Sequence, residues 1–374
     1  MLLSSALVVF AGAGEARSAP FQVLHTFANG NDGASPGGDL IADKVGNLYG
    51  TTSEGGPNGA GSVFKLAPDG TVTTIYNFTG GNDGDLPLAG LLSDAQGNLY
   101  GVTEIGGAND WGVVFKVTPG GQETVIHAFT GDGHDGVNPL GQLIWGPDHI
   151  LIGTTLNGGF YGYGTVFQLT LSGTETVTHA FNGRKGRYPA AGLVMDKAGN
   201  MYGTTHNSGA GSSGLVYEID AVGVFHVLLT CTNATGYFPS GALTLDDSGV
   251  LYGSMSAGGA NNYGTVFKLT PGAGHQVLYS FTNGNDGAGP LGRLFLDTYG
   301  SLLGTTQSGG EHDDGTIFSL SPYSKLTTLH AFDGTTGSFP QAGLVRDTPL
   351  GGGWLYGLAY AGGSGNGTAF RVKK

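Results

Sequence analysis

A unit of about fifty residues returns seven times along the chain, and this period limits the fold more than any other property of the sequence. The unit is cleanest from Ala89 to Gly121, AGLLSDAQGNLYGVTEIGGANDWGVVFKVTPGG. The glycine of its LYG element, or the equivalent, stands at Gly50, Gly101, Gly153, Gly203, Gly253, Gly304 and Gly357, in steps of 50 to 53 residues. The glycine that opens the GTVFK-like element keeps the same step at Gly61, Gly112, Gly164, Gly214, Gly264, Gly315 and Gly367. A third marker is the proline ahead of each unit: Pro36, Pro87, Pro139, Pro189, Pro239, Pro290 and Pro340. Three markers in fixed order at one period describe a single supersecondary unit that buries its apolar faces only against its own copies.

Each unit holds four short runs, none long enough for a helix. In the second copy they are Ala89–Asp94, Asn98–Thr103, Gly112–Thr118 and Glu123–Phe129, termed strands A to D. Between A and B lies Asp-x-x-Gly-Asn, in which the Asp side chain caps a tight turn and the Gly accepts positive φ. A second short turn, such as Pro68-Asp69-Gly70, joins C to D. The B–C and D–A connections are longer and fall on the opposite edge, so all the long loops share one face. Four antiparallel strands repeated seven times predict an all-β fold, a seven-bladed β-propeller. An orphan D-like strand, Phe21–Phe27, precedes the first copy, and the last copy stops after its C strand at Gly367–Val372. The N-terminal strand is therefore expected to complete the last blade and remove two open sheet edges.

Strand D ends on Phe27, Phe78, Phe129, Phe181, Phe281 and Phe332, with Cys231 in the remaining copy, which makes Cys231 a small core residue and not a nucleophile. Two residues earlier His25, His127, His179 and His330 exchange with Tyr76, Tyr279 and Leu229, a pattern of packing and not of metal ligation.

Glycine (73) would suggest low complexity if it lacked a period, but apolar residues at 39% suffice for a core. A formal charge of -13 with 15 scattered basic residues offers no footprint for nucleic acid or an anionic membrane. Residues 1–19 carry an apolar run, Leu2–Phe10, then Ala11-Gly12-Ala13, as in a secretory signal peptide, although no Lys or Arg precedes the run. Export to the extracellular space or periplasm is the expectation, with residues 20–374 as one domain and no further segment long enough to span a bilayer. The lone cysteine excludes an internal disulfide framework.

The order GNLYGTT, a GG loop, GTVFKL, a D strand, then G-N-D-G before P-x-x-G-L resembles the bacterial tandem-repeat family called GloVer, from about Phe21 to the end. The resemblance implies an exported propeller and supplies no catalytic residues. Members commonly end in a surface anchor, whereas this sequence ends at Lys373-Lys374. Kelch propellers share the period and a glycine pair, but their pair closes a strand and here it lies in a loop.

Gly209-Ala210-Gly211-Ser212-Ser213-Gly214 fits GxGxxG yet leads into a strand, so no helix N-terminus awaits a pyrophosphate. Asp32, Asp83, Asp135 and Asp286 sit one to a loop, too few oxygens for calcium, and read as turn caps; Glu311–Asp314 is the most acidic loop. No metal or cofactor is expected.

Aromatic residues gather in the long-loop stretches at Trp111, Phe160, Tyr161, Tyr163, Tyr188, Tyr237, Phe238, Tyr263 and Phe339, at varying places in the unit. Amphipathic rings on a concave rim suit glycan or peptide recognition. A monomeric, non-enzymatic propeller binding a glycan or protein partner through Trp111, Tyr161, Tyr163, Tyr188, Tyr237 and Tyr263 is the leading expectation. The alternative is a lyase or hydrolase acting on an extracellular polymer, with His134, His206, Glu311, His312 or Asp313 at the rim. That reading requires a His and charged partners to converge at one channel mouth, since the fold itself is neutral about chemistry.

Overall fold

A computed structural model describes residues 20–208, 213–346 and 353–374, so the signal-like segment and most of the GxGxxG stretch lie outside the described residues. Each repeat forms one antiparallel sheet, and seven sheets make the seven-bladed propeller. In the second blade strand A is Leu92–Ser93, B is Leu99–Thr103, C is Val113–Val117 and D is Glu123–Ala128. Their register runs Leu92↔Tyr100, Gly101↔Phe115 and Phe115↔Val125. Gly101 is required by that register: a Cβ there would stand 2.5 Å from Cζ of Phe115.

Ring closure follows the expected route. Phe21–Thr26 pairs with Thr368–Lys373, in register Phe21↔Val372 and Gln22↔Arg371, so the N-terminal strand is the outer strand of the last blade. Phe21 also stacks on His330 of the sixth blade, ring centroids 3.5 Å apart, tying the first strand to the blade before its own.

The A–B turn is a hydrogen-bonded device. Asp94 Oδ1 accepts from the amides of Gln96 and Asn98, while Oδ2 accepts from Asn98 Nδ2 at 2.7 Å and from the Tyr100 hydroxyl at 2.9 Å. Asp43 with Asn47 and Tyr49, and Asp196 with Asn200 and Tyr202, repeat the arrangement. The Asp, the Asn and the tyrosine of LYG thus form one unit. Burial alone would raise the Asp94 carboxyl, but these donors hold it below the usual range.

Strand A is shorter than its apolar run. Among the described residues only two pair in each A strand, because the preceding residues interlock with the next blade around the axis: Thr51, Thr154 and Thr305 donate their hydroxyls to the carbonyls of Ala89, Ala191 and Ala342 at 2.9–3.0 Å. Every C–D pair carries a β-bulge near the middle of strand D, which adds twist to the outer strand.

The core lies between the blades. The phenylalanine ending strand D of one blade meets the C-strand aromatic of the next edge to face, as in Phe27–Phe64, Phe78–Phe115, Phe129–Phe167 and Phe332–Phe370, with centroids 5.0–5.4 Å apart. Such pairs add about 0.5–1.5 kcal/mol beyond burial. Cys231 takes this place between the fourth and fifth blades. It is 3% exposed, with Sγ 3.7 Å from Met255 Sδ, and burial pushes its thiol up to about 12. Met255 stands where other B strands place Thr52, Thr103 and Thr205, so a larger neighbour fills the space left by the missing ring.

Candidate functional site

The long-loop face is built on two recurring positions. One is the residue before the glycine that opens strand C: Ala60, Trp111, Tyr163, Ser213, Tyr263, Asp314 and Asn366. The other is the residue before each marker proline: Ser35, Leu86, Asn138, Tyr188, Phe238, Gly289 and Phe339. Most of the loop aromatics therefore occupy two equivalent places and not varying ones. All seven pre-proline residues lie at φ between 54° and 62°, the left-handed region. For a side-chain-bearing residue this costs of order 1–3 kcal/mol and persists only where the surroundings over-determine it.

Here the surroundings do so. The Tyr188 amide donates to the Tyr163 carbonyl of the preceding blade at 3.0 Å, and the Tyr188 carbonyl accepts from the His206 amide of its own blade at 3.0 Å. The same cross-blade bond joins Asn138 to Trp111, Phe238 to Ser213, Gly289 to Tyr263 and Phe339 to Asp314. The two positions thus meet at each of these seams. Only between the third and fourth blades are both aromatic, and there the Tyr163 and Tyr188 rings lie 6.3 Å apart at 64°.

Around that seam the rings continue. Phe160 (72% exposed) and Tyr161 (53%) stand edge to face on the same loop as Tyr163. His206 stacks flat on Phe238 at 4.8 Å, Phe238 meets Tyr237 edge-on, and the Tyr237 hydroxyl donates to Asn262 Oδ1 at 2.6 Å. The structure therefore gathers Tyr161, Tyr163, Tyr188 and Tyr237 over the third to fifth blades. Trp111 (43% exposed) packs alone over Gly131, and Tyr263 (42%) stands at its own seam opposite Gly289, which has no ring.

Among the described residues no hydrogen bond or ion pair joins any two of His134, His206, Glu311, His312 and Asp313. Desolvation under Phe238 lowers the His206 imidazole, and Asp313 Oδ1 accepts from the Gly309 amide at 2.8 Å as part of its own loop. No group of three His, Cys, Asp or Glu side chains is placed to hold a metal among the described residues.

The D–A loop aspartates cap their loops and also clasp strand D. Asp32 lies 2.9 Å from His25 Nε2, Asp83 accepts from the Tyr76 hydroxyl at 2.8 Å, and Asp135 lies 3.1 Å from His127 Nε2. His179 and His330 instead stack on Phe225 and Phe21, and desolvation lowers both imidazoles to about 4.

One concavity was not legible in the sequence. A cavity of about 670 Å³ lies along the ring axis among the A strands and A–B turns, lined by Asp39, Gln142, Thr244, Arg293, Phe295 and Arg346 among others. Asp39 accepts from the Gly343 amide at 2.6 Å and burial raises its carboxyl, while the Arg346 guanidinium lies 5.2 Å over the Phe295 ring. Asp39, Gln142 and Arg293 occupy one position that is glycine or alanine in the other four copies, and Arg346 is the one charged residue at a position held elsewhere by Ala42, Ser93, Trp145, Met195, Leu245 and Leu296, the signal that could have marked them.

A profile of the Gloeobacter/Verrucomicrobia repeat matches residues 13–159 and 141–371. No curated protein sequence matches the chain. Among solved structures, the extracellular domain of a hybrid two-component system from B. thetaiotaomicron superposes with a TM-score of 0.60 at 14% identity, over 95% of this chain and 41% of that one. The extracellular domain of a one-component system from the same organism gives 0.62 at 13% identity, over 95% and 42%. A gluconolactonase from Xanthomonas campestris gives 0.49 at 13%, over 95% and 89%. The chain spans about two fifths of the two sensor chains, and at these identities the likeness is one of fold. Among the described residues no helix is long and apolar enough to cross a membrane.

Proposed function

The chain belongs to the Gloeobacter/Verrucomicrobia repeat family, and from that premise we propose that it is an exported, non-enzymatic propeller that binds a glycan or protein partner through its long-loop face, a glycan being the better fit. The observation that carries this reading is the seam between the third and fourth blades, where Tyr163 and Tyr188 meet and Phe160 and Tyr161 lie exposed beside them. Rigid rings with a polar edge give contact area at low entropic cost. The cross-blade bond from the Tyr188 amide to the Tyr163 carbonyl is in keeping with a site whose geometry is set before the ligand arrives. The extracellular placement of the sensor domains with the same fold agrees with export.

A glycan array probed with residues 20–374, beside Tyr163→Ala and Tyr188→Ala, tests this reading. Retention of one glycan class that both variants lose supports it. Retention of none, or equal retention by the variants, overturns it.

A further inference from the structure

The seam of paired tyrosines carries a second departure from the repeat, in charge. The equivalent D–A loops present Asn31-Asp32, Asn82-Asp83, His134-Asp135 and Asn285-Asp286. After the third D strand the loop instead reads Asn182-Gly183-Arg184-Lys185-Gly186-Arg187, so three of the chain's 15 basic residues fall within four positions. The loop is a closed turn. The Gly183 amide donates to the Gly186 carbonyl at 3.1 Å, and the amides of Arg184 and Lys185 both donate to Asn182 Oδ1 at 3.1 and 3.0 Å. Arg184 and Lys185 stand exposed at its tip, and neither side chain forms an ion pair among the described residues. The base of the turn touches the tyrosines: Cε2 of Tyr163 lies 3.1 Å from where a Cβ on Gly183 would stand, and the Arg187 guanidinium lies 5.5 Å over the Tyr188 ring.

Resting on the glycan-binding reading above, we propose that this site takes an acidic polysaccharide, a polymer of uronate residues. A hexuronate offers on one ring the two features the site provides for: a flat C–H face for Tyr161 or Tyr163, and a carboxylate for Arg184 or Lys185. An acidic peptide has carboxylates on flexible stems and no saturated ring face to lay on a tyrosine. In a protein of formal charge -13, a local inversion of sign selects where a polyanion lands, because the D–A loops that carry Asp32, Asp83, Asp135, Asp286 and Asp333 repel it.

Affinity electrophoresis of residues 20–374 in gels containing polygalacturonate, its fully methyl-esterified form or poly-glutamate tests the assignment. The expected result is retardation by polygalacturonate, weakened by salt and at least severalfold weaker with the neutral ester. Arg184→Gln/Lys185→Gln should lose roughly 3- to 30-fold in affinity for polygalacturonate with an unchanged thermal midpoint, two exposed charge pairs being removed. Equal binding to ester and acid, or an undiminished double variant, overturns the acidic assignment and leaves the tyrosine site standing. Poly-glutamate bound as tightly as polygalacturonate overturns the sugar in favour of a peptide. No retardation by either sugar polymer removes the proposal, and the glycan array then decides separately whether the glycan-binding reading survives.

Discussion

Sγ of Cys231 lies 3.7 Å from Sδ of Met255, at the place between the fourth and fifth blades where six other seams hold a D-strand phenylalanine against a C-strand aromatic. A small residue at one position and a large one beside it keep the seam filled, which interior packing demands. Cys231→Phe alone is expected to overpack against Met255 and cost about 1–3 kcal/mol. Met255→Thr alone should open a gap and cost about 1–3 kcal/mol. The double variant restores the arrangement of the sister seams and should be more stable than the two single effects predict by at least ~1 kcal/mol, measurable in a double-mutant cycle by chemical denaturation.

Closure by the first strand predicts the behaviour of a shortened chain. A protein beginning at Phe27 lacks the partner of Thr368–Lys373 and the Phe21–His330 stack, exposing one edge of the last blade. It should melt several degrees lower and associate in a concentration-dependent way, visible by light scattering after size exclusion. A peptide of residues 20–28 added in trans should reverse both effects. A shortened chain as stable and monomeric as the parent would contradict the closure.

Two glutamates and two histidines on the outer strands predict a stability maximum in mildly acidic solution. Burial and the neighbouring Asp83 push Glu123 up to about 7, and burial, with Asp135 and Asp132 outweighing His127, does the same to Glu175. A carboxyl whose folded value is raised contributes stability that is present in full below its unfolded value near 4.5 and is lost as pH rises through about 7. Burial depresses His179 and His330 to about 4, so their contribution is present above about 6.5 and lost as pH falls through 4. Thermal midpoints should decline on both sides of the pH 5–6.5 region. Glu123→Gln and Glu175→Gln should flatten the alkaline limb and raise the midpoint at pH 8, which differential scanning calorimetry will read.

The two faces of the ring should differ in ligand binding. Tyr299 (83% exposed) and Tyr323 (94%) lie in the short turns of the sixth blade, on the face opposite the tyrosine seam. Alanine at either should leave glycan retention unchanged, whereas Tyr163→Ala should reduce affinity by about tenfold or more, the loss of one well-placed ring. Titration calorimetry with the retained glycan separates the two.

Most of the fold was legible because its determinants are local and repeated. The Asp94–Asn98 turn, the orphan strand Phe21–Thr26 and the glycine markers each imply their geometry from a few consecutive residues. The apolar run Ala89–Asp94 overstates strand A, since what ends the strand is the packing of Ala89 and its neighbours against the next blade, a tertiary effect. The equivalence of Trp111, Tyr163 and Tyr263 was present in their position before the strand-opening glycine, and so was the charge of Arg184-Lys185-Gly186-Arg187. What no sequence reading provided was the left-handed backbone at Tyr188 and the cross-blade bond that brings it to Tyr163. The axial cavity with Arg293 and Arg346 was equally hidden, because only ring closure turns those positions toward a common axis.

Hydrogen–deuterium exchange of residues 20–374 with and without the glycan retained on the array bears most directly on the account. The predicted result is slowed exchange confined to the loops at 158–164 and 183–188, with none in the short turns. Slowed exchange at Thr244–Asp247 and Arg293–Thr298 around the axial cavity, with the tyrosine seam unchanged, would contradict it.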